Sequence, residues 1–372
     1  MTLIAHVLTA ILATQTAGLE AQQLAPKATG RLVIQTVHAT TLENTVTGEN
    51  PDRTVAVYLP PSYFSQPSRH FPTLFLLHGI GDTESVWTKA WDEADDPWGT
   101  VPRLLDHGIA SGQLREMIVV MPDLRSKAGG SFYTDSTVTG RWQEFVTREL
   151  PAWVGGQFRS LASAESRGIA GHSMGGYAAI VIGMKFPDVF SVVYGMNSAT
   201  LDWGNDLSRD NPAFRSVLER QKWEDLKGFY EVGIIAVGQA FSPNPERPPF
   251  YVDFPFQVGD GGELVPSQPG HQRWEEHFPI HLVERYRDNL LSLRGLRFDT
   301  CNDDEFTHIP PTSRSLSRRL TELEVPHIFE EYNGDHRNRM WGRTGRLYTE
   351  VLTWFSLLLE QDGARGAAAS DR

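Results

Sequence analysis

A serine flanked by glycines constrains the fold more than any other stretch of the chain. The segment Gly171–Gly176, with the sequence GHSMGG, follows a short apolar run at residues 167–170 and precedes small apolar residues at helical spacing over residues 177–184. This context predicts a strand, a sharp turn and a helix, which together indicate a nucleophile elbow. Such a turn strains the backbone of Ser173, lifts its side chain above the sheet edge and aims a helix N-terminus at it. The pattern therefore indicates catalysis by Ser173.

Apolar runs alternate with helical patterns on both sides of this turn. Some runs are apolar throughout, as in strands buried on both faces of a parallel sheet, namely residues 72–77, 117–121 and 190–196. Others alternate apolar and polar residues, as edge or antiparallel strands do, namely residues 31–39 and 53–59. This alternation predicts an α/β fold with a mostly parallel central sheet and helices on both faces.

Two further strands and three helices complete the predicted domain. Strands are expected at residues 296–299 and 327–332, and helices at residues 140–158 and around 312–323. A last helix carries an apolar stripe with i, i+4, i+7, i+11 spacing, formed by Leu347, Val351, Trp354 and Leu358. We predict one domain over residues 22–360, followed by a flexible tail at 361–372.

A long insertion interrupts the alternation at about residues 201–290. Its middle part, residues 242–256, is dense in proline and aromatic residues, and proline excludes a regular helix or central strand there. Two interpretations stay open: a lid over the site, or a surface excursion with a small core of its own. If the segment is a lid, Phe250 and Tyr251 are expected to shape the substrate pocket.

Composition and the N-terminus limit the partners and the compartment. The net charge of −12 argues against a nucleic-acid partner, no stretch is long and apolar enough for a transmembrane segment, and Cys301 cannot form an internal disulfide because it is the only cysteine. Residues 1–21 are typical of a secretory signal peptide, although no Lys or Arg precedes Lys27. We expect a secreted or periplasmic protein if this segment is cleaved, and a cytoplasmic one otherwise.

A serine nucleophile needs a base, an orienting carboxylate and donors for the oxyanion. In this arrangement the acid and then the histidine follow the serine along the chain, each after a later strand. His336 follows the strand at 327–332 and is the predicted base, while the acidic stretch at 299–305 offers Asp299, Asp303 and Asp304 as acids. The backbone N–H groups of Ile80 and Met174 are the predicted oxyanion donors. No metal site or cofactor is predicted.

Several motifs resemble the esterase-D-like esterase family of α/β-hydrolases, which includes feruloyl and acetylxylan esterases, S-formylglutathione hydrolases and mycolyltransferases. The resemblance covers roughly residues 30–200 and 293–360. The matching segments are VYLPPSY at 57–63, LLHGIG at 76–81, VVMPD at 119–123, GIAGHSMGG at 168–176, and GDH at 334–336 together with Trp341. It implies the α/β-hydrolase fold, the same nucleophile and base, and the same oxyanion donors.

The family pattern also selects the acid. It places the catalytic aspartate five residues after the strand-end Asp299 and two before Phe306, which implies Asp304 with Asp303 as the alternative. Cys301 stands where the family usually has glycine, and the insertion has no counterpart in the smaller members.

The predicted function is hydrolysis of a small-molecule or carbohydrate ester by a Ser173–Asp304–His336 triad through an acyl-enzyme. An acyltransferase with an alcohol or sugar acceptor stays open because it would use the same residues. A non-catalytic binding protein on this scaffold is the third interpretation.

Overall fold

The computed structural model describes residues 29–89 and 98–362. The predicted signal peptide and the tail after Asp362 lie outside these residues. Eight strands form the central sheet: β1 (Arg31–His38), β2 (Asp52–Leu59), β3 (Thr73–Leu77), β4 (Ile118–Pro122), β5 (Arg167–His172), β6 (Val192–Met196), β7 (Gly295–Cys301) and β8 (Ile328–Tyr332). Their spatial order is β1-β2-β4-β3-β5-β6-β7-β8.

The sheet is parallel except at β2. Strand β2 pairs antiparallel with both β1 and β4, and every other neighbouring pair is parallel. The carboxyl ends of β3, β5, β6, β7 and β8 therefore meet at one edge, where the loops that follow these strands can combine their side chains.

Helices connect and flank the strands. Their bounds are α1 (Ser62–Ser65), α2 (Ser85–Thr88), α3 (Val101–Ser111), α4 (Trp142–Glu144, Phe145–Glu149 and Leu150–Gln157 in succession), α5 (Met174–Lys185), α6 (Pro212–Leu218), α7 (Gly228–Phe241), α8 (Gly270–Glu275), α9 (Pro279–Leu282), α10 (Arg287–Ser292), α11 (Ile309–Glu322) and α12 (Leu347–Leu352, then Thr353–Leu358). Short 3₁₀ turns occupy Thr40–Leu42, Ala164–Ser166 and Trp223–Asp225, and small hairpins pair Asp135–Ser136 with Gly140–Arg141 and Phe256–Val258 with Leu264–Pro266.

The core has one apolar layer on each face of the sheet. Alternate residues of β2 divide between them: Val55 and Val57 belong to the layer under α4 and α5, whereas Ala56 and Tyr58 belong to the layer under α3 and α12. Successive strand residues point to opposite faces, so one continuous apolar run fills both layers. The predicted α/β fold with helices on both faces is confirmed.

The last helix departs from the predicted stripe. Leu347 and Val351 are fully buried, but further along Phe355 and Leu359 are buried while Trp354 is only half-buried. The first part of α12 is π-helical, with a wider turn than the 3.6 residues that the prediction assumed. The register of the buried face consequently moves by one residue.

The insertion splits between the two interpretations given for it. Helices α6 and α7 face the cavity beside Ser173, as a lid would. The proline-rich part instead packs on aromatic residues of the insertion: Phe256 lies against Trp203 and Phe214, and Trp203 stacks on Trp274 with ring centroids 5.4 Å apart. This cluster is the small core that the second interpretation required.

Among the described residues, no helix combines the length and apolar character needed to cross a membrane.

Candidate active site

Ser173 occupies the turn between β5 and α5 in a conformation that non-glycine residues rarely adopt. Its backbone angles are φ 56° and ψ −116°, and it is 5% exposed. The glycines on either side permit the close packing of this turn. A Cβ atom on Gly171 would lie 2.3 Å from the backbone of Gly175, and one on Gly175 would lie 2.4 Å from the carbonyl oxygen of Leu77. The G-x-S-x-G spacing thus follows from steric demands on both sides of the serine.

His336 lies in the loop after β8 and meets Asp304 from the loop after β7. Nδ1 of His336 is 2.8 Å from Oδ2 of Asp304, and the two side chains are 2% and 0% exposed. A carboxylate on Nδ1 fixes the proton there and leaves Nε2 free to accept one, which is the arrangement required of a general base.

Phe306 contacts His336 and also lines the cavity of Ser173. Its ring contacts the ring of His336 at a centroid distance of 4.9 Å and an interplanar angle of 78°, and it lines the same cavity as Ser173. Ser173, Asp304 and His336 thus follow three parallel strands at the same edge of the sheet, and Phe306 contacts His336 and lines the cavity of Ser173.

The three aspartates that sequence reasoning considered have different surroundings. Asp299 is buried within β7, where it accepts hydrogen bonds from the hydroxyl of Tyr194 (2.7 Å) and from Nε of Arg346 (2.8 Å). Asp303 is exposed on the loop. Asp304 alone of these three contacts His336, so the structure favours the residue that the family pattern selected.

Asp304 is held by two donors besides the histidine. The backbone N–H of Phe306 donates to Oδ1 at 2.9 Å, and the thiol of Cys301 donates to Oδ2 at 3.1 Å. Burial raises the pKa of the Cys301 thiol, so the cysteine stays protonated and able to donate. The residue that replaces the family's usual glycine thus contacts the carboxylate directly.

His172, next to the serine, is placed to support His336 and not to replace it. Its Nε2 donates to the backbone carbonyl of His336 at 2.8 Å, and the two rings lie 4.5 Å apart. Burial lowers the pKa of His172 well below its usual value. His172 is therefore neutral, and the nitrogen that carries its proton is already engaged.

Asn197, which follows β6, ties the acid and base loops together. Its side-chain oxygen accepts the backbone N–H of Cys301 at 2.8 Å, and its Nδ2 donates to the carbonyl oxygen of His336 at 3.1 Å. Sequence reasoning missed this residue. Its position directly after a buried strand, at the edge where the site forms, is the signal that could have indicated it.

The two predicted oxyanion donors, Ile80 and Met174, belong to different elements. Ile80 belongs to the loop after β3 and lines the cavity with Ser173, and Met174 is the first residue of α5. Within the described part of the chain, neither backbone N–H donates to a protein acceptor. A free N–H group at a helix N-terminus, such as that of Met174, suits a developing negative charge.

His78 fixes the loop that carries Ile80. Its Nε2 accepts the backbone N–H of Leu124 at 2.9 Å and its Nδ1 lies 2.8 Å from the carbonyl oxygen of Gly79. Burial lowers the pKa of His78, and the neutral ring can both accept and donate in this way. Tyr133 adds a hydrogen bond from its hydroxyl to the His78 carbonyl at 2.8 Å.

The structure does not bring Phe250 and Tyr251 to the cavity of Ser173. Phe250 is 5% exposed and packs edge-on against Trp223, and Tyr251 lines a separate depression with Lys127. The expectation that these two residues shape the pocket is therefore corrected: Phe250 packs within the insertion, and Tyr251 lies at its boundary with the segment that contains Lys127. Helices α6 and α7 line the cavity instead, through Phe214, Phe229, Tyr230, Gly233, Ile234 and Val237.

Within residues 29–89 and 98–362, no group of three or more His, Cys, Asp and Glu side chains could hold a metal ion.

Comparison with known proteins places the chain among esterases. A sequence model of the family described as "Putative esterase" matches residues 47–344, which is most of the chain. The chain belongs to this family. The predicted family membership is thereby confirmed, and the match includes the serine, the acid loop and the histidine.

Curated relatives of the family are similar over parts of their length. An S-formylglutathione hydrolase of Paracoccus denitrificans is 31% identical over 203 residues, which is 45% of this chain and 64% of that protein. Esterase Rv1288 of Mycobacterium tuberculosis is 30% identical over 298 residues, which is 78% of this chain and 53% of that protein. The chain thus spans about half to two thirds of the length of these relatives.

Solved structures share the fold. A ferulic acid esterase aligns with 90% of this chain and 100% of its own at a TM-score of 0.61 and 20% identity. An S-formylglutathione hydrolase from Agrobacterium tumefaciens aligns with 91% of this chain and 99% of its own at a TM-score of 0.55 and 19% identity. These similarities confirm the α/β-hydrolase fold.

Proposed function

We propose that the chain is a serine carboxylic-ester hydrolase that works through an acyl-enzyme. The observation that carries this proposal is the buried contact of 2.8 Å between His336 Nδ1 and Asp304 Oδ2, at the sheet edge where Ser173 is held at φ 56° in the turn between β5 and α5. Membership of an esterase family and the names of its relatives, an S-formylglutathione hydrolase and an esterase, support the same chemistry.

The first half-reaction forms the acyl-enzyme. Ser173 Oγ attacks the carbonyl carbon of the ester while His336 Nε2 takes its proton. The carbonyl oxygen becomes an oxyanion, which accepts hydrogen bonds from the N–H groups of Ile80 and Met174. His336 then gives the proton to the leaving alcohol, and the bond between carbon and the alcohol oxygen breaks.

The second half-reaction releases the acid. A water molecule gives a proton to His336 as it attacks the acyl carbon, and the proton returns to Ser173 as the acyl bond breaks. Asp304 stabilises the imidazolium that forms in both halves. Cys301 and the N–H of Phe306 hold Asp304 in place for this role.

Substitution of the nucleophile tests the proposal. We expect Ser173→Ala to lower kcat for nitrophenyl esters by about 10⁴-fold or more, because removal of a triad member abolishes the covalent route. Circular dichroism and the thermal midpoint should stay close to those of the wild type. A folded Ser173→Ala protein with near-wild-type turnover would refute the proposal.

A further inference from the structure

The cavity beside Ser173 is walled by aromatic and aliphatic side chains of the insertion. Phe214, Ile234 and Val237 form buried parts of the wall, and Phe229 stands at its mouth with 48% of its surface exposed. The ring of Phe229 lies 5.1 Å from that of Phe306, which in turn contacts His336. An exposed phenylalanine that adjoins a buried apolar wall indicates a surface for an apolar ligand.

The carboxylate at the margin of this cavity is fully engaged by protein donors. Asp206 accepts hydrogen bonds from the hydroxyl of Tyr230 (2.6 Å), the hydroxyl of Thr307 (3.0 Å) and the backbone N–H of His308 (2.6 Å), and Nδ1 of His308 lies 2.9 Å from it. These contacts leave little of its charge for a ligand. What the cavity offers a bound group is therefore mainly apolar contact.

Gly233 leaves the space in this wall open. It lies within α7, and a Cβ atom built on it would meet only Cε1 of Phe229, at 3.9 Å. A glycine inside a helix costs roughly 0.5–1 kcal/mol relative to alanine. No tight packing around Gly233 requires this cost, so the space that it opens calls for a different explanation.

We propose that Gly233 keeps open an acyl pocket, and that the substrates are esters whose acyl group is apolar and larger than acetyl. This inference rests on the proposed function, because it takes the group bonded to Ser173 as the acyl group. An alkyl chain and an aromatic ring share the required chemistry. A formyl or acetyl group has too little apolar surface to cover the side chains of α6 and α7 that line the cavity.

Substitutions at Gly233 test the proposal by filling the pocket. We would measure kcat/KM for nitrophenyl acetate, butyrate, octanoate and benzoate with the wild type, Gly233→Ala, Gly233→Val and Gly233→Leu. The wild type should prefer at least one of the larger acyl groups over acetate. The ratio of that ester to acetate should fall about tenfold or more in the valine and leucine variants, since one methylene in a pocket changes specificity by about 10–200-fold.

A matched control and a milder variant make the result decisive. Gly156→Leu places the same side chain on an exposed helical glycine in α4 with open space around it, and should keep the wild-type ratios. Gly233→Ala should fold at least as well as the wild type and lower the ratio in the same direction if the larger variants do not fold. The proposal is overturned if the wild type prefers acetate, or if the folded Gly233 variants keep the wild-type ratios.

The results that would contradict the proposed function differ from those that would overturn the acyl pocket. Absence of hydrolysis of all four esters by the wild type, or activity that survives Ser173→Ala, would contradict the esterase mechanism itself. The relative rates for octanoate and benzoate assign the acyl group to the alkyl or the aromatic class.

Discussion

Ser173 can occupy its strained turn because the residues packed around that turn are glycines, which have no side chain. Gly171 and Gly175 pack against backbone on both sides of the turn, and a Cβ atom at Gly79 would lie 3.3 Å from Cβ of Ser173. Sequence reasoning could find this serine because such steric demands leave a fixed pattern of glycines. The role of Asn197 left no such pattern, because a polar residue after a strand has many uses.

The choice of acid is a prediction at the scale of single residues. Asp304→Asn keeps the shape of the side chain but removes the charge that stabilises imidazolium, so kcat should fall by up to about 10⁴-fold. Asp303 is exposed, so Asp303→Asn should change kcat far less. Steady-state kinetics on the two variants decide the matter. The reverse order of effects would make Asp303 the acid.

The residues that line the cavity were harder to predict than the contact between Asp304 and His336. Phe250 and Tyr251 were predicted to line the pocket because aromatic residues beside prolines are typical of a binding surface. Both instead pack within or beside the insertion. Gly233 has no side chain, so nothing in the sequence indicates that it lines a pocket. Its importance depends on which face of α7 meets Ser173, and that follows from tertiary packing.

At the scale of elements, the strands were predictable and the insertion was not. The runs predicted at residues 72–77, 117–121 and 190–196 correspond to β3, β4 and β6 within two residues at each end. Strands buried on both faces are apolar throughout, so they can be recognised in the sequence as continuous apolar runs. The insertion is stabilised by contacts among its own aromatic residues and with the sheet, and composition does not show which of these dominate.

Asp206 joins the insertion to the start of α11 through hydrogen bonds. We predict that the contribution of these contacts to the stability of the protein is lost in acid. Burial alone would raise its pKa, but hydrogen bonds with His308 and Tyr230 and the charge interaction with His308 lower the pKa to about 2. Its contribution to stability is therefore complete above its ordinary pKa, near 4, and is lost as the pH falls from about 4 towards 2.

Urea unfolding as a function of pH tests this link. Asp206→Asn should lower the free energy of unfolding at pH 7, and the pH-dependent part of the difference from the wild type, about 2 kcal/mol, should disappear as the pH falls below about 4. Asp210→Asn, at an exposed position nearby, is the matched control and should change little. A difference for Asp206→Asn that stays constant across this range would contradict the assignment.

At the scale of the whole molecule, two apolar layers cover the two faces of one sheet, and the loops at its carboxyl edge carry the residues proposed for catalysis. The alternation of Val55, Ala56, Val57 and Tyr58 between the layers shows how a single strand serves both. The fold class followed from this kind of pattern. The prediction of an acid after β7 and a base after β8 followed from the order of strands.

Export is a prediction for the molecule as it occurs in its host. The apolar run at residues 3–13 and the small residues after it predict cleavage near Ala21. N-terminal sequencing of protein isolated from outside the cytoplasm should begin near Gln22. Recovery of the chain in the cytoplasm with residues 1–21 intact would contradict export.

The central claim, that Ser173 is the nucleophile activated by His336 and Asp304, has one most direct measurement. Diethyl nitrophenyl phosphate should phosphorylate Ser173 Oγ, with nitrophenolate as the leaving group, and activity should be lost in proportion to labelling. Peptide mass spectrometry should locate one diethylphosphoryl group on the peptide that contains Ser173, and none on that peptide in Ser173→Ala. Loss of activity with Ser173 unmodified, or with the group on another residue, would contradict the account.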